Sequence, residues 1–321
     1  MVSLGEHVIE SYAHIINTDR SILKLNSIIE KFGYQFLWID ASEFERNFSD
    51  ILSIQKNDQR LLTIMIGREH HGISHELHNA LIHTPVFGQM FMHMEFPGII
   101  LIKKMETFKI TNDTDDPLIE HEALIGFSTF VSDLLLQLRL YKIGEIRCSQ
   151  LFQMTSVSRQ ISLRKTGISI GSAGDFSISD KDVEALSSIL TVTYKSNSLT
   201  ELAIKNFSIV YDIPDGRIRF ITLMTCLESL FNLGKDQIAH TIARHLSVIL
   251  SKNKAQFRDN YVGIKKLYNM RNSIVHGSAY KGDIIVDYLD LSEKVRRAIN
   301  YCNTPDLTKE KLFEDLNTRG F

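Results

Sequence analysis

The sequence predicts an α+β N-terminal domain, residues 1–197, followed by an all-α helical bundle, residues 198–321. Three observations carry this prediction. The first half mixes short β-branched and aromatic runs with helical periods, whereas from Ser198 onward the apolar spacing is helical throughout and is broken by capping residues. The chain has 321 residues, enough for two domains at roughly 100–200 residues each. Five prolines and 17 glycines leave most of that length free for regular structure.

In the first half, His7–Ile16 and Ser21–Phe32 show helical spacing, and Tyr34–Ile39, Leu61–Ile66 and Gly98–Ile110 read as strands. Asn112–Pro117, with Asp113, Asp115 and Asp116, reads as a polar turn. A helix over Ile119–Tyr141 follows, because Leu124, Phe127, Phe130, Val131, Leu134, Leu135 and Leu138 keep one face apolar. Strand-like stretches at Glu145–Met154 and Ile161–Ile170 lead to Gly171-Ser172-Ala173-Gly174. That segment reads as a turn and not a phosphate loop, since no Gly-Lys-Ser/Thr follows.

The second half is read as five helices. Ser198-Leu199-Thr200-Glu201 has the form of a capping box and opens a helix reaching about Tyr211. Pro214-Asp215-Gly216 separates it from a second helix, Arg217–Asn232. A third spans Asp236–Lys252, and a fourth starts near Gln256 with Gly277 as its C-terminal cap. Asp283 caps a fifth, which stops before Pro305. Short loops between successive helices imply an antiparallel bundle.

Charge and composition exclude several classes. With 36 Lys+Arg against 38 Asp+Glu the formal charge is −2, so no global field draws the chain to nucleic acid or an anionic membrane. Residues 199–321 nevertheless hold 18 Lys+Arg against 14 Asp+Glu, leaving 18 against 24 upstream. Any anion site is therefore local and is expected in the second domain. Cys148, Cys226 and Cys302 are far apart and show no CxxC spacing, which argues against a disulfide framework or zinc ribbon and fits a reducing compartment. The opening residues lack the basic and apolar regions of a signal peptide, and no apolar run reaches the ~20 residues of a membrane span. These features predict a soluble, cytoplasmic protein with no membrane partner.

The residues that carry chemistry close the fourth helix: Met270-Arg271-Asn272-Ser273-Ile274-Val275-His276-Gly277. Asn272 and His276 stand one turn apart on one face, flanked by Arg271. A guanidinium grips phosphate through two donors, an imidazole moves a proton, and an amide orients either partner. The spacing alone is weak, since 16 arginines and 12 histidines give roughly 0.6 accidental Arg-x4-His pairs in a chain of this length. Its context adds to it. Upstream lies Phe220-Ile221-Thr222-Leu223-Met224-Thr225-Cys226-Leu227-Glu228-Ser229-Leu230-Phe231, a helix with one acid in an apolar face.

This arrangement over about residues 199–303 resembles the HEPN superfamily (higher eukaryotes and prokaryotes nucleotide-binding), and within it the ApeA-like HEPN proteins of bacteria. The resemblance implies an α-helical domain that dimerises so that two Arg-x4-His motifs face each other across a cleft. It implies a metal-independent endoribonuclease, with no cofactor, employed in antiphage defence or as a toxin that controls growth. His276 would then be the acid/base, Arg271 would bind the scissile phosphate, Asn272 would orient it, and Glu228 would pair with Arg271. The attacking group would be the RNA 2′-hydroxyl, which DNA lacks. RNA and a second copy of the chain are the partners so implied, with the N-terminal domain recognising a trigger or target. Lys252, Lys254, Arg258, Lys265 and Lys266 form a basic surface beside the motif; a solvated helix face explains them, and an RNA backbone would also use Arg258, Lys265 and Lys266.

Competing readings exist for each feature. Arg271 can be a helix-end ion pair and His276 a C-terminal cap, and some HEPN domains serve only as binding or dimerisation modules. A metal-dependent enzyme is suggested by Arg68-Glu69-His70-His71-Gly72-Ile73-Ser74-His75-Glu76-Leu77-His78, where His71, His75 and His78 share a helical face. Gly72 weakens that helix and the order is not HExxH, so a solvated histidine cluster is the expectation there and no metal is assigned. Met90, Met92 and Met94 around His93 read as strand or core.

Overall fold

The computed structural model describes residues 5–40, 99–110, 116–155, 162–165, 176–213, 215–232, 237–277 and 282–319, together with Glu43 and Arg46. The predicted strand at Leu61–Ile66, Met90, Met92, Met94 and Gly171–Gly174 lie outside these residues. The chain divides into two compact units: residues up to Leu135 with 145–170 and 174–193 in one, Leu136–Gly144 and Tyr194–Phe321 in the other.

The first unit is built on an antiparallel five-stranded sheet of order β2-β3-β1-β4-β5, with β1 Gly5–Ile16, β2 Tyr34–Ile39, β3 Ile99–Ile110, β4 Arg147–Thr155 and β5 Ser162–Lys165. β1 corrects the helix expected at His7–Ile16. It is the central strand, paired with β3 and β4, and its residues from Ser11 to Ile15 are all buried. A strand covered on both faces loses the two-residue alternation, and its apolar run is then indistinguishable from a helical one by period. The β-branched Val8, Ile9, Ile15 and Ile16 fit the pleated surface better than a helix.

The register places Ile9, Ala13, Ile102, Phe36 and Leu151 on one sheet face. Helix α2, Asp116–Tyr141, supplies the rings that cover it: Phe130 stacks on Tyr34 and Phe127 lies 6.1 Å away, centroid to centroid. Asp116 and Pro117, expected in a turn, belong to this helix. Part of α2, Ile119–Tyr141, is long and apolar enough to cross a membrane, contrary to the sequence expectation; Phe127, Phe130, Val131, Leu134, Leu135 and Leu138 are buried in the protein. The helical period at Ser21–Phe32 forms as a 3-10 turn Arg20–Leu25, a short α1 at Asn26–Ile29 and a second 3-10 turn Glu30–Phe32, closed by Gly33 at φ +83°. Asn26 exchanges two hydrogen bonds with the backbone of Phe36 and fixes this segment to β2. Helix α3, Asp180–Ser187, was not foreseen; its capping box joins Ser179 and Asp182.

The second unit is helical: α4 Glu201–Val210, α5 Gly216–Phe231, α6 Ile238–Leu250, α7 Lys254–Val275, α8 Ile284–Cys302 and α9 Lys309–Thr318. Its core is contiguous, from Phe207 on α4 through Phe220, Leu223, Leu227 and Phe231 on α5 to Leu246, Leu267, Leu291 and Ile299. Asp283 caps α8 as expected, and Asp215, expected only in the break between helices, caps α5; each accepts two backbone N–H bonds. The predicted capping box at Ser198 does not form. Asn197 accepts from the Thr200 N–H at 2.9 Å and donates to the Cys302 carbonyl, tying the start of α4 to the end of α8. Arg296 and Asn300 satisfy the Leu140 and Tyr141 carbonyls, which have no acceptor role inside the last turn of α2. Helix α9 was also unforeseen and docks on α6, where Arg244 bonds the Leu316 carbonyl and His245 the Asn317 side chain.

Candidate active site

The motif residues sit at the C-terminal end of α7. Asn253 caps the other end by accepting from the Gln256 N–H, and Ile264, Leu267 and Tyr268 hold the helix against the core. The last regular bond runs from the His276 N–H to the Asn272 carbonyl, 2.9 Å, and Gly277 at φ +69° stops the helix. That left-handed conformation strains any residue with a Cβ, which explains the glycine.

Arg271 faces α5. Its Nη2 lies 3.2 Å from Glu228 Oε1, and its Nη1 donates to Asn272 Oδ1 at 3.3 Å. The guanidinium carbon stands 5.7 Å from the centre of the Tyr268 ring, one turn earlier on α7. Tyr268 is 8% exposed and lies close enough to Glu228 for the carboxylate to act on its phenol. Burial raises the phenol pKa and the negative charge of Glu228 raises it further, so Tyr268 stays a neutral donor. The three side chains form one cluster across α5 and α7.

The cluster is incompletely satisfied. Glu228 Oε1 and Arg271 Nε are buried atoms without a hydrogen-bond partner among the described residues, so the pair lacks the two-bond fork of a closed Arg–carboxylate interaction. With side chains 25% and 21% exposed, Arg271 and Glu228 remain at a surface that an anion can reach.

His276 is exposed, and its imidazole has no hydrogen bond or ion pair among the described residues. At about 100° per residue, five positions put His276 roughly 140° around the helix from Arg271. Asn272 lies between them. Arg258, Lys265 and Lys266 are exposed on the same helix, Lys265 with its ammonium 5.6 Å from the Tyr261 ring. The structure therefore brings Arg271, Glu228 and Asn272 together, places His276 at the adjoining helix end, and aligns the basic residues along α7.

Tyr268 is the member of the cluster that sequence reasoning missed. At helical spacing with Ile264 and Leu267 it reads as one more apolar position of the α7 face, and only its spacing of three from Arg271 hints at more. The remaining candidates offer little chemistry. Cys226 and Cys302 are buried, and burial pushes the Cys302 thiol up to about 12, so neither is a ready nucleophile. His71, His75 and His78 lie outside the described residues. Among those described, no group of three or more His, Cys, Asp or Glu is placed to hold a metal. Comparison of the chain with protein-family models, with curated proteins and with solved structures finds no match.

Proposed function

We propose that the protein is a metal-independent endoribonuclease of HEPN type, acting in the cytoplasm as a homodimer in antiphage defence or toxin-like growth control. The observation that carries this reading is the half-open Arg271–Glu228 pair, beside Tyr268 and five positions from an exposed His276. Arg271 grips a backbone phosphate, and Asn272 orients it. The 2′-oxygen attacks the adjacent phosphorus and loses its proton to a neutral imidazole. The bond from phosphorus to the 5′-oxygen breaks, and an imidazolium protonates that oxygen. The products are a 2′,3′-cyclic phosphate and a 5′-hydroxyl. Arg271 also stabilises the charge that develops on the phosphorus oxygens.

Arg271 and His276 of one chain diverge around α7, and a two-fold cleft resolves this by setting the Arg271 of one protomer near the partner's His276. Two such histidines divide the base and acid roles. The first unit serves as the recognition element. A cavity of about 360 Å³ opens on its sheet beside Trp38, where Glu10 bonds both Lys103 and the Tyr12 hydroxyl.

The test is cleavage of total RNA in EDTA by the purified wild type and by His276→Ala. The expected result is fragments with cyclic phosphate ends from the wild type and none from the variant. Equal cleavage by both overturns the assignment of His276, and silence in both leaves a binding or dimerisation module.

A further inference from the structure

Successive residues of a strand alternate sides, and the register pairs Tyr12 with Lys103 and Glu10 with Met154. These four residues therefore share the sheet face opposite Ile9 and Ala13, the face that α2 leaves uncovered. The cavity of about 360 Å³ opens here, and its volume suits a small molecule. Leu37, Ile39 and Met154 give it apolar walls, and Trp38 also lines it. Its polar side is built around Glu10. One carboxylate oxygen pairs with Lys103, the other accepts from the Tyr12 hydroxyl at 3.1 Å, and the Lys103 ammonium stands 5.4 Å from the centre of the Tyr12 ring. The Lys103 and Glu10 side chains are 26% and 28% exposed, so a ligand can reach them. Glu43, just past β2, adds a second carboxylate. Its N–H donates to Asp40 Oδ1 at 2.7 Å, which fixes the backbone, while the carboxylate has no hydrogen bond or ion pair among the described residues.

We infer that this cavity binds an organic cation, an ammonium or guanidinium carried on an aliphatic stem. Charge selects that class. Lys103 is the one cation of the described lining, set against two carboxylates, and Glu10 already neutralises it. A phosphate or carboxylate entering here would meet Glu43 with no cation left to hold it. A cation meets the reverse: the Glu43 carboxylate is open to it, and of roughly four acceptor positions on Glu10 only two are taken, by Lys103 and Tyr12. Burial and the charge of Glu10 both raise the Tyr12 phenol pKa, so that hydroxyl stays neutral and adds no further charge. Arg20 already lies over the Trp38 ring, 3.8 Å from its centre, which leaves the carboxylates as the partners of an incoming cation. The aliphatic stem buries against Leu37, Ile39 and Met154 while the charged head stays with the carboxylates. A free amine and a lysine or arginine side chain of another protein share this chemistry. Neither the cavity nor its charge depends on what the second unit does.

The experiment titrates the full chain with cadaverine, a free diamine, and with Nα-acetyl-lysine methylamide, which presents the side chain as a protein does. The neutral diol and the dicarboxylate glutarate, of the same chain length as cadaverine, are the isosteric controls. Trp38, the single tryptophan, lines the cavity and reports binding by fluorescence, with calorimetry as a second readout. About 0.15 M salt screens loose attraction to surface carboxylates. Saturable binding of at least one of the two cations is expected, and neither the diol nor glutarate is expected to match it. Glu43→Gln is expected to weaken that binding roughly tenfold, the cost of losing one charged hydrogen bond, and Glu43→Asp to restore part of it. Glu184→Gln removes the same charge from an exposed position on α3 and is expected to change little. Tighter binding of cadaverine assigns the site to a free amine, and tighter binding of the lysine compound assigns it to a protein side chain. No saturable binding of either cation, equal binding of the diol or glutarate, or equal loss from Glu43→Gln and Glu184→Gln overturns the inference.

Discussion

The molecule contains two Glu–Arg pairs in opposite settings. Glu145 and Arg147 of the first unit are each 3% exposed at their side chains, and Arg147 Nη2 bonds Glu145 Oε2 within the sheet. Glu228 and Arg271 of the second unit stand at 3.2 Å, a quarter to a fifth exposed, with buried atoms left without partners. Water is excluded from the first pair, although Arg147 Nε, like Arg271 Nε, has no hydrogen-bond partner among the described residues, so the two pairs differ in exposure. The second pair keeps a solvent-facing side and unused hydrogen-bonding capacity. The same two residue types thus hold a fold together in one place and leave room for a ligand in the other.

Removing the arginine from each pair separates the two roles. Arg147→Met removes the opposing charge beside a buried carboxylate and is expected to destabilise the first unit by about 3–5 kcal/mol. Trp38, the single tryptophan, lies on β2 and reports that unfolding by fluorescence in urea. Arg271→Ala is expected to cost less than about 1 kcal/mol of stability, because the pair is partly solvated. It is also expected to lower RNA cleavage by on the order of 10²–10³. A large loss of stability from Arg271→Ala with unchanged cleavage per folded molecule would erase the contrast.

A smaller effect sharpens the same distinction through histidine. His14, on the central strand, is buried, and burial lowers its pKa to about 4. The unfolded chain binds that proton near 6.5 and the folded chain only near 4, so the contribution to stability is complete above 6.5 and is lost as the pH falls toward 4. The loss is about 3 kcal/mol, at 1.36 kcal/mol per pH unit. The Trp38 urea midpoint is expected to fall over that window, and to fall less steeply in His14→Gln. Equal slopes in the two proteins would remove His14 from the account.

Which parts of this were legible in the sequence follows from how local each signal is. Asp215, Asp283 and Gly277 act on backbone groups a few residues away, and all three ends formed where they stand. The apolar face of α2 was likewise readable, and Tyr34–Ile39 formed the strand expected. β1 was not, because a central strand's pattern depends on neighbours at Ile99–Ile110 and Arg147–Thr155. α9 was missed although Thr308 caps it, since its apolar positions Leu312, Phe313 and Leu316 are few and gain meaning only against α6. In the site, Arg271, Asn272 and His276 were visible as one short pattern. The approach of Glu228 was anticipated only through a resemblance, and Tyr268 was hidden because a tyrosine on an apolar face signals core until its hydroxyl finds an acid.

The most direct test of the central claim replaces one atom of the substrate. Wild-type protein in EDTA is given an RNA it cleaves and the same RNA with a single 2′-deoxy nucleotide on the 5′ side of the cleaved bond. The account expects cleavage at that bond to disappear while other sites persist. Undiminished cleavage at the deoxy position would contradict it, because the bond would then be broken by a nucleophile other than the neighbouring 2′-hydroxyl.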